Sequence, residues 1–267
     1  MASSSQIHAE ATGTDNEIRM VLLGRTGTGK SSVGNTILGG KFFVAKKAPV
    51  GVTTQCASGA RDFENKRLFI VDTPGFLDPN IEDEVIQQEV GKSYQLTATP
   101  GPHVFLLVLE PARMTDQEAV ATDYLSKIFG PKAVHHTIII FTHGDVLEEE
   151  ENTLDGYLSQ LPTNAPLRKL LEQCGRRYLC FNNKGTEQEK NEAVRSLLER
   201  ITAMMSNNHD KVYTTDTFVA LAKEIAKEKA KGTFNPVKPD GSYALLPQTK
   251  EIVIDGYLRR TVGRRAN

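Results

Sequence analysis

The run Gly24-Arg25-Thr26-Gly27-Thr28-Gly29-Lys30-Ser31 constrains this chain more than any other part of it. It fills every fixed position of G-x-x-x-x-G-K-[ST], follows the apolar run Met20–Leu23 and opens a helical stretch, Lys30–Leu38. Glycines there let main-chain N–H groups curl around an anion, and the following helix adds the positive end of its dipole. Lys30 would reach the β- and γ-phosphates, and the Ser31 hydroxyl would ligate Mg²⁺. Gly24 through Ser31, with Ser32, are therefore candidate nucleotide-binding residues. A chance glycine-rich turn would not sit in this strand–loop–helix frame. The loop specifies a nucleoside triphosphate but neither base nor reaction, since nucleotide kinases, ATPases and GTPases all use it.

Short apolar runs alternate with amphipathic stretches along the rest of the chain. Ile18–Leu23, Leu68–Val71, Val104–Leu109, Thr137–Phe141 and Arg177–Phe181 read as strands. Ala57–Phe63 alternates polar and apolar residues and reads as an edge strand beside Leu68–Val71, with Asn65-Lys66 as the hairpin turn. Helical patterns cover Lys30–Leu38, Ile81–Leu96, Thr115–Ile128, Glu148–Gln160, Leu167–Cys174 and Lys190–Met205. Thr115 with Glu118 makes a capping box. This alternation predicts an α/β fold, a mostly parallel sheet with helices on both faces. Phe218, Leu221, Ala222 and Ile225 predict one extra C-terminal helix over Thr215–Lys231, stopped by Gly232. The expected division is a disordered leader over 1–16, a nucleotide-binding domain over 17–206, a helical extension over 207–232 and a weakly structured tail over 233–267. Within the tail Glu251–Ile254 has a strand pattern.

Composition excludes some classes. The net charge of −1 gives no global basic excess for nucleic acid. Three cysteines are too few and too odd a number for a disulfide framework, which suits a reducing interior. No apolar run approaches the roughly 18 residues of a membrane span. A cytoplasmic location is expected, with membrane contact open only to the basic end of the tail, RRTVGRR.

Further motifs narrow the nucleotide. Asp72-Thr73-Pro74-Gly75 follows the apolar run Leu68–Val71. A carboxylate there can hold Mg²⁺ through water, and Gly75 can place its N–H on a γ-phosphate and move when that phosphate leaves. In the loop between, Thr53 is the candidate for closing on Mg²⁺ and the γ-phosphate, with Thr54 in reserve. Phe141-Thr142-His143-Gly144-Asp145 stands where most GTPases carry N-K-x-D. Asp145 keeps the carboxylate that accepts from guanine N1–H and N2–H, a donor pair adenine lacks. Thr142 replaces the Asn, and the His143 ring can stack on or edge the purine. Asn182 and Asn183 end the last strand, where an Asn can meet guanine O6 or the ribose.

Taken in order, GRTGTGKSS, GVTT, DTPGF, PGPHVFLLVLEPARMTDQE, FTHGD and RYLCFNN resemble the GTPases of immunity-associated proteins, also called immune-associated nucleotide-binding proteins. The most specific stretch runs from Gly101-Pro102-His103 to Arg113-Met114-Thr115, and the likeness covers about Glu17 to Gly232. The resemblance implies a septin-related P-loop GTPase fold with extra helices, GTP, GDP and Mg²⁺ as ligands, and a GTP-dependent homodimer or family heterodimer. It departs from many members in the tail, which shows neither membrane anchor nor long coiled coil, and in His143-Gly144, where basic residues are common.

Many small GTPases place a water-orienting Gln just after the Gly75 position. This chain has Phe76, then Leu77, with Asp78 the nearest acid. An isolated monomer should therefore turn over slowly or not at all. Arg113 is the candidate catalytic residue, an arginine finger supplied in trans, with Arg25 second. The readings are a GTPase activated by its own dimerisation and a nucleotide-switched scaffold with negligible turnover. An ATP-using nucleotide kinase shares only the phosphate loop.

Overall fold

A computed structural model describes residues 16–45, 55–75, 83–110, 125–142, 153–208, 211–232, 243–249 and 252. Among the described residues six strands form one sheet: β1 (Glu17–Leu23), β2 (Ala57–Phe63), β3 (Lys66–Asp72), β4 (Val104–Leu109), β5 (Thr137–Thr142) and β6 (Tyr178–Phe181). Their order is β2-β3-β1-β4-β5-β6. Only β2 runs antiparallel to its neighbour, and it occupies the edge. Among the described residues the α-helices include α1 (Lys30–Leu38), α2 (Asp83–Thr97), α3 (Leu154–Ser159), α4 (Pro166–Gln173), α5 (Glu187–Asn207) and α6 (Asp216–Ala230).

Side chains alternate between the faces of each strand, so a strand buried on both sides is apolar throughout. Met20, Leu22, Leu106, Val108 and Ile140 pack with Val33 and Ile37 of α1 and with Val194, Leu197 and Ile201 of α5. Val21, Leu23, Phe105, Leu107 and Phe141 face the other way, toward Val90 and Tyr94 of α2, Leu170 of α4 and Phe218 and Leu221 of α6. Both layers and the extra helix agree with the sequence pattern.

Boundaries move where caps or turns decide them. Phe63 pairs with Lys66, so the hairpin turn is Glu64-Asn65 rather than Asn65-Lys66, with Glu64 at φ 53. Helix α5 begins at Glu187, ahead of Lys190, because Thr186 and Glu189 form a capping box. Thr153 is extended and its hydroxyl accepts from the Gly156 N–H, so α3 starts at Leu154; residues 148–152 of the expected helix lie outside the described residues. The Thr115–Glu118 box lies outside the described residues.

The segment over 243–249 docks on the body. Tyr243 Oη and Ser58 Oγ lie 2.5 Å apart. Gln95 of α2 donates to the Ala244 carbonyl and accepts from Leu246 N–H and Thr249 Oγ1. Residues 247–249 are helical, opened by Pro247. Ile252 is helical as well, not part of a strand; the rest of Glu251–Ile254 lies outside the described residues.

Candidate functional site

The described site segments lie at or just beyond the C-terminal ends of parallel strands, the end where such sheets leave a crevice. β1 delivers Gly24, β3 delivers Asp72, β5 ends at Thr142 and β6 leads to Asn182. β1 lies between β3 and β4, so the phosphate loop occupies the middle.

The loop needs its glycines. Gly24 has φ 148, and a Cβ there would stand 2.5 Å from the Val108 carbonyl oxygen of β4. Gly29 (φ 94) is the N-cap of α1 and offers no side chain, which leaves the first-turn N–H groups for an outside acceptor. Thr28 Oγ1 donates to the Arg25 carbonyl at 3.0 Å and closes the turn. Lys30 is 6% exposed, and its Nζ donates to the carbonyls of Gly24 (3.1 Å) and Arg25 (2.8 Å). The ammonium therefore already lies inside the loop.

Ser31 Oγ donates to Asp72 Oδ2 at 2.6 Å. Asp72 is 1% exposed, and burial pushes its pKa up to about 6 against the opposing effects of Ser31, Lys30 and the Thr73 N–H. Its other oxygen, Oδ1, is buried with no hydrogen-bond partner. An orphaned carboxylate oxygen beside a serine hydroxyl is a hard-oxygen set of the kind Mg²⁺ takes, with water and phosphate completing the shell. Thr73 Oγ1 donates to the Leu22 carbonyl and fixes the end of β3 beside β1. A Cβ on Gly75 would overlap Thr26 Oγ1 and the Thr26 main-chain nitrogen, so this glycine rests directly on the phosphate loop. Asp72, Gly75, Thr26, Lys30 and Ser31 are thus brought together.

At the far side Thr142 Oγ1 lies 2.9 Å from the Thr28 carbonyl and 3.2 Å from that of Leu109. Its methyl group would touch a Cβ at Gly29. The Thr that replaces Asn therefore binds β5 to the phosphate loop. Asn183 Oδ1 accepts from Thr36 Oγ1 of α1 at 2.8 Å, and Asn182 Oδ1 accepts from the Lys184 N–H at 3.0 Å. Both amide oxygens are engaged within the protein, Asn182 in its own turn. Thr36, Thr73 and the Thr28–Thr142 tie carry no local sequence signal. Thr53, Thr54, Phe76, Asp78, Arg113, His143 and Asp145 lie outside the described residues.

A phosphate loop after the central strand and a buried carboxylate after its neighbour define a P-loop nucleotide-binding protein with a mostly parallel sheet. The model of the AIG1 family matches residues 18–232, and the chain belongs to that family. It is 36% identical over 219 residues to immune-associated nucleotide-binding protein 9 of Arabidopsis thaliana, covering 81% of this chain and 64% of the relative. It is 37% identical over 215 residues to protein 8 of the same series, covering 79% and 60%. The chain thus spans less than two thirds of the length of these two relatives. Among solved structures it is similar to a dimerization-deficient mutant of Toc33 from Arabidopsis thaliana, with TM-score 0.55 and 18% identity over 73% of this chain and 87% of that one. Toc33 in complex with GDP and Mg²⁺ gives TM-score 0.52 and 18% identity over 73% and 86%. At that identity the likeness is one of fold. Among the described residues no helix is long and apolar enough to cross a membrane.

Proposed function

We propose that this chain binds GTP and GDP together with Mg²⁺, pairs with a second copy when GTP is bound, and hydrolyses GTP slowly until that pairing occurs. The observation that carries this reading is the Ser31–Asp72 pair, with its orphaned oxygen beside Lys30 in the phosphate loop. Lys30 holds the β- and γ-phosphates after leaving the Gly24 and Arg25 carbonyls, and main-chain N–H groups of 24–32 cradle the oxygens. Ser31, Asp72 and Thr53 hold Mg²⁺, which when bound neutralises charge on the phosphate oxygens. Gly75 senses the γ-phosphate. Asp145 selects guanine, with Thr142, His143, Asn182 and Asn183 around the base and ribose.

Arg113 acts from the partner copy as the finger, an effect worth ~10³–10⁵ in rate in other systems. The fold likeness to Toc33 supports the pairing, since dimerization is important for the GTPase activity of the chloroplast translocon components atToc33 and psToc159. Phe76 favours a second reading, a nucleotide-switched scaffold with negligible turnover, because an apolar ring cannot orient water. Turnover per monomer measured against protein concentration, with light scattering in GDP and in a non-hydrolysable GTP analogue, separates the two. Specific activity that rises with concentration and is lost in Arg113→Ala is expected. A GTP-state dimer with flat, near-zero turnover would install the scaffold reading instead.

A further inference from the structure

Helix α1 carries one buried hydroxyl whose partner lies across the fold. Thr36 is 7% exposed, and its Oγ1 donates to Asn183 Oδ1 at 2.8 Å, 147 residues further along the chain. A threonine inside a helix commonly returns its hydroxyl to the carbonyl one turn before it. Thr36 instead directs its one proton to the turn after β6. The packing of α1 through Val33 and Ile37 does not call for a hydroxyl at this position.

The turn that carries Asn183 is held on both sides. Asn182 Oδ1 accepts from the Lys184 N–H, and the Gly185 N–H donates to the Asn182 carbonyl at 3.3 Å. A Cβ on Gly185 would stand 2.8 Å from Oε2 of Glu189, the residue that completes the Thr186 capping box of α5. The backbone is thus set, and what is left to fix is the direction of the Asn183 amide. A hydroxyl proton is met by the amide oxygen, so Oδ1 faces α1 and the N–H₂ is turned away from it. Among the described residues Nδ2 makes no hydrogen bond, and it is not a buried atom. Two residues earlier Phe181 pairs with Thr142 of β5, which is itself bound to the phosphate loop at Thr28. A nucleoside running from that loop across the ends of β5 and β6 brings its base to this side of the crevice.

We propose that Thr36 is a positioning residue for base selectivity: by engaging the Asn183 oxygen it presents the N–H₂ as a donor to the oxygen at position 6 of guanine. This rests on the guanine-nucleotide reading above. Adenine carries an amino group at that position, and two donors facing each other leave both unpaired.

The test is equilibrium titration of the full chain at pH 7 with GDP and with 6-thio-GDP, both with Mg²⁺, for wild type, Thr36→Val and Thr36→Ser. The two ligands share the donors of guanine and the ribose diphosphate, and differ only in an oxygen replaced by the weaker acceptor sulfur. Wild type should favour GDP by about three- to tenfold, the worth of one neutral hydrogen bond. In Thr36→Val the amide turns freely, so GDP should weaken until the two ligands bind within about twofold of each other. Thr36→Ser keeps the hydroxyl and should restore the preference. Equal weakening of both ligands in Thr36→Val would make Thr36 a packing residue and overturn the proposal, as would a wild type that does not distinguish them. Wild type that binds neither would overturn the nucleotide reading and this inference with it. Should Thr36→Val fail to fold, Asn183→Asp decides: it keeps an oxygen for the Thr36 hydroxyl but has no N–H₂, and should lose the preference for GDP. A preference kept in that variant would overturn the role of the amide.

Discussion

Ser31 and Asp72, one opening α1 and the other ending β3, share a 2.6 Å hydrogen bond although they stand 41 residues apart. The bond leaves Asp72 Oδ1 buried and unpartnered. Proton and metal should therefore compete for this carboxyl group. Without metal, burial holds the Asp72 pKa up to about 6. Mg²⁺ affinity measured by titration of the GDP complex should be flat above pH 7 and fall about tenfold per unit below 6, as each bound cation displaces a proton. Affinity independent of pH between 5 and 7.5 would place the metal elsewhere.

The same shift predicts a stability change in the metal-free chain. A raised carboxyl pKa means that the native state binds the extra proton between about 3.8 and about 6. Its contribution to stability is fully present below 3.8 and is lost as pH rises through 6. Asp72→Asn should thus stabilise the metal-free protein at pH 7.5 by up to about 3 kcal/mol while abolishing its response to Mg²⁺. Urea denaturation with and without Mg²⁺ measures both.

Thr142 binds the end of β5 to the phosphate loop through the Thr28 and Leu109 carbonyls. Thr142→Val keeps the shape and removes the hydroxyl. It should cost about 1–3 kcal/mol in stability and weaken GDP by about tenfold, whereas Thr142→Ser should restore both. Denaturation and calorimetric titration of the two variants supply the check. Unchanged GDP affinity in the valine variant would show that the tie does not shape the site.

At the opposite end of the sheet His103 Nδ1 accepts from the Arg19 N–H at 3.0 Å, and the residue is 8% exposed. Burial, then the positive charge of Arg19, lower its pKa to about 4. Its contribution to stability is present above the unfolded value of 6.5 and is lost as pH falls toward 4. The loss should approach about 3 kcal/mol and should vanish in His103→Gln, which retains an acceptor. Stability compared at pH 4.5 and 7 in wild type and variant reads the difference. A variant that loses as much as wild type over this range would acquit His103.

Gln95 holds the 243–249 segment through both ends of its amide. Gln95→Ala should make that segment open to limited proteolysis and lower the stability of the whole by about 1–3 kcal/mol. Cleavage at wild-type rate would mean that Tyr243 and its Ser58 contact hold the segment without it.

Some of this was legible in the chain itself. Lys30–Leu38, Val104–Leu109 and the edge strand Ala57–Phe63 are read to the residue, because a phosphate loop, a wholly apolar run and a period-two alternation each impose their own ends. Other boundaries slipped where one local cap outweighed the hydrophobic pattern, as Thr153 and Thr186 did. The Gln95 clasp had no sequence signature, since a buried amide finds its partners only after distant segments meet. The phosphate loop and Asp72 stood out because glycines at left-handed positions and a carboxylate after an apolar strand are local facts. Asn183 differs: its place after β6 was readable, but not its bond to Thr36 across the α1 face.

On the reading proposed above, this site selects a guanine nucleotide with Mg²⁺. Equilibrium titration of the full chain at pH 7.5 with GDP and with ADP, each with Mg²⁺, tests it most directly. A site that pairs Asp145 with the guanine donor edge should favour GDP by about a hundredfold or more. Equal affinity for the two, or binding of neither, would contradict it.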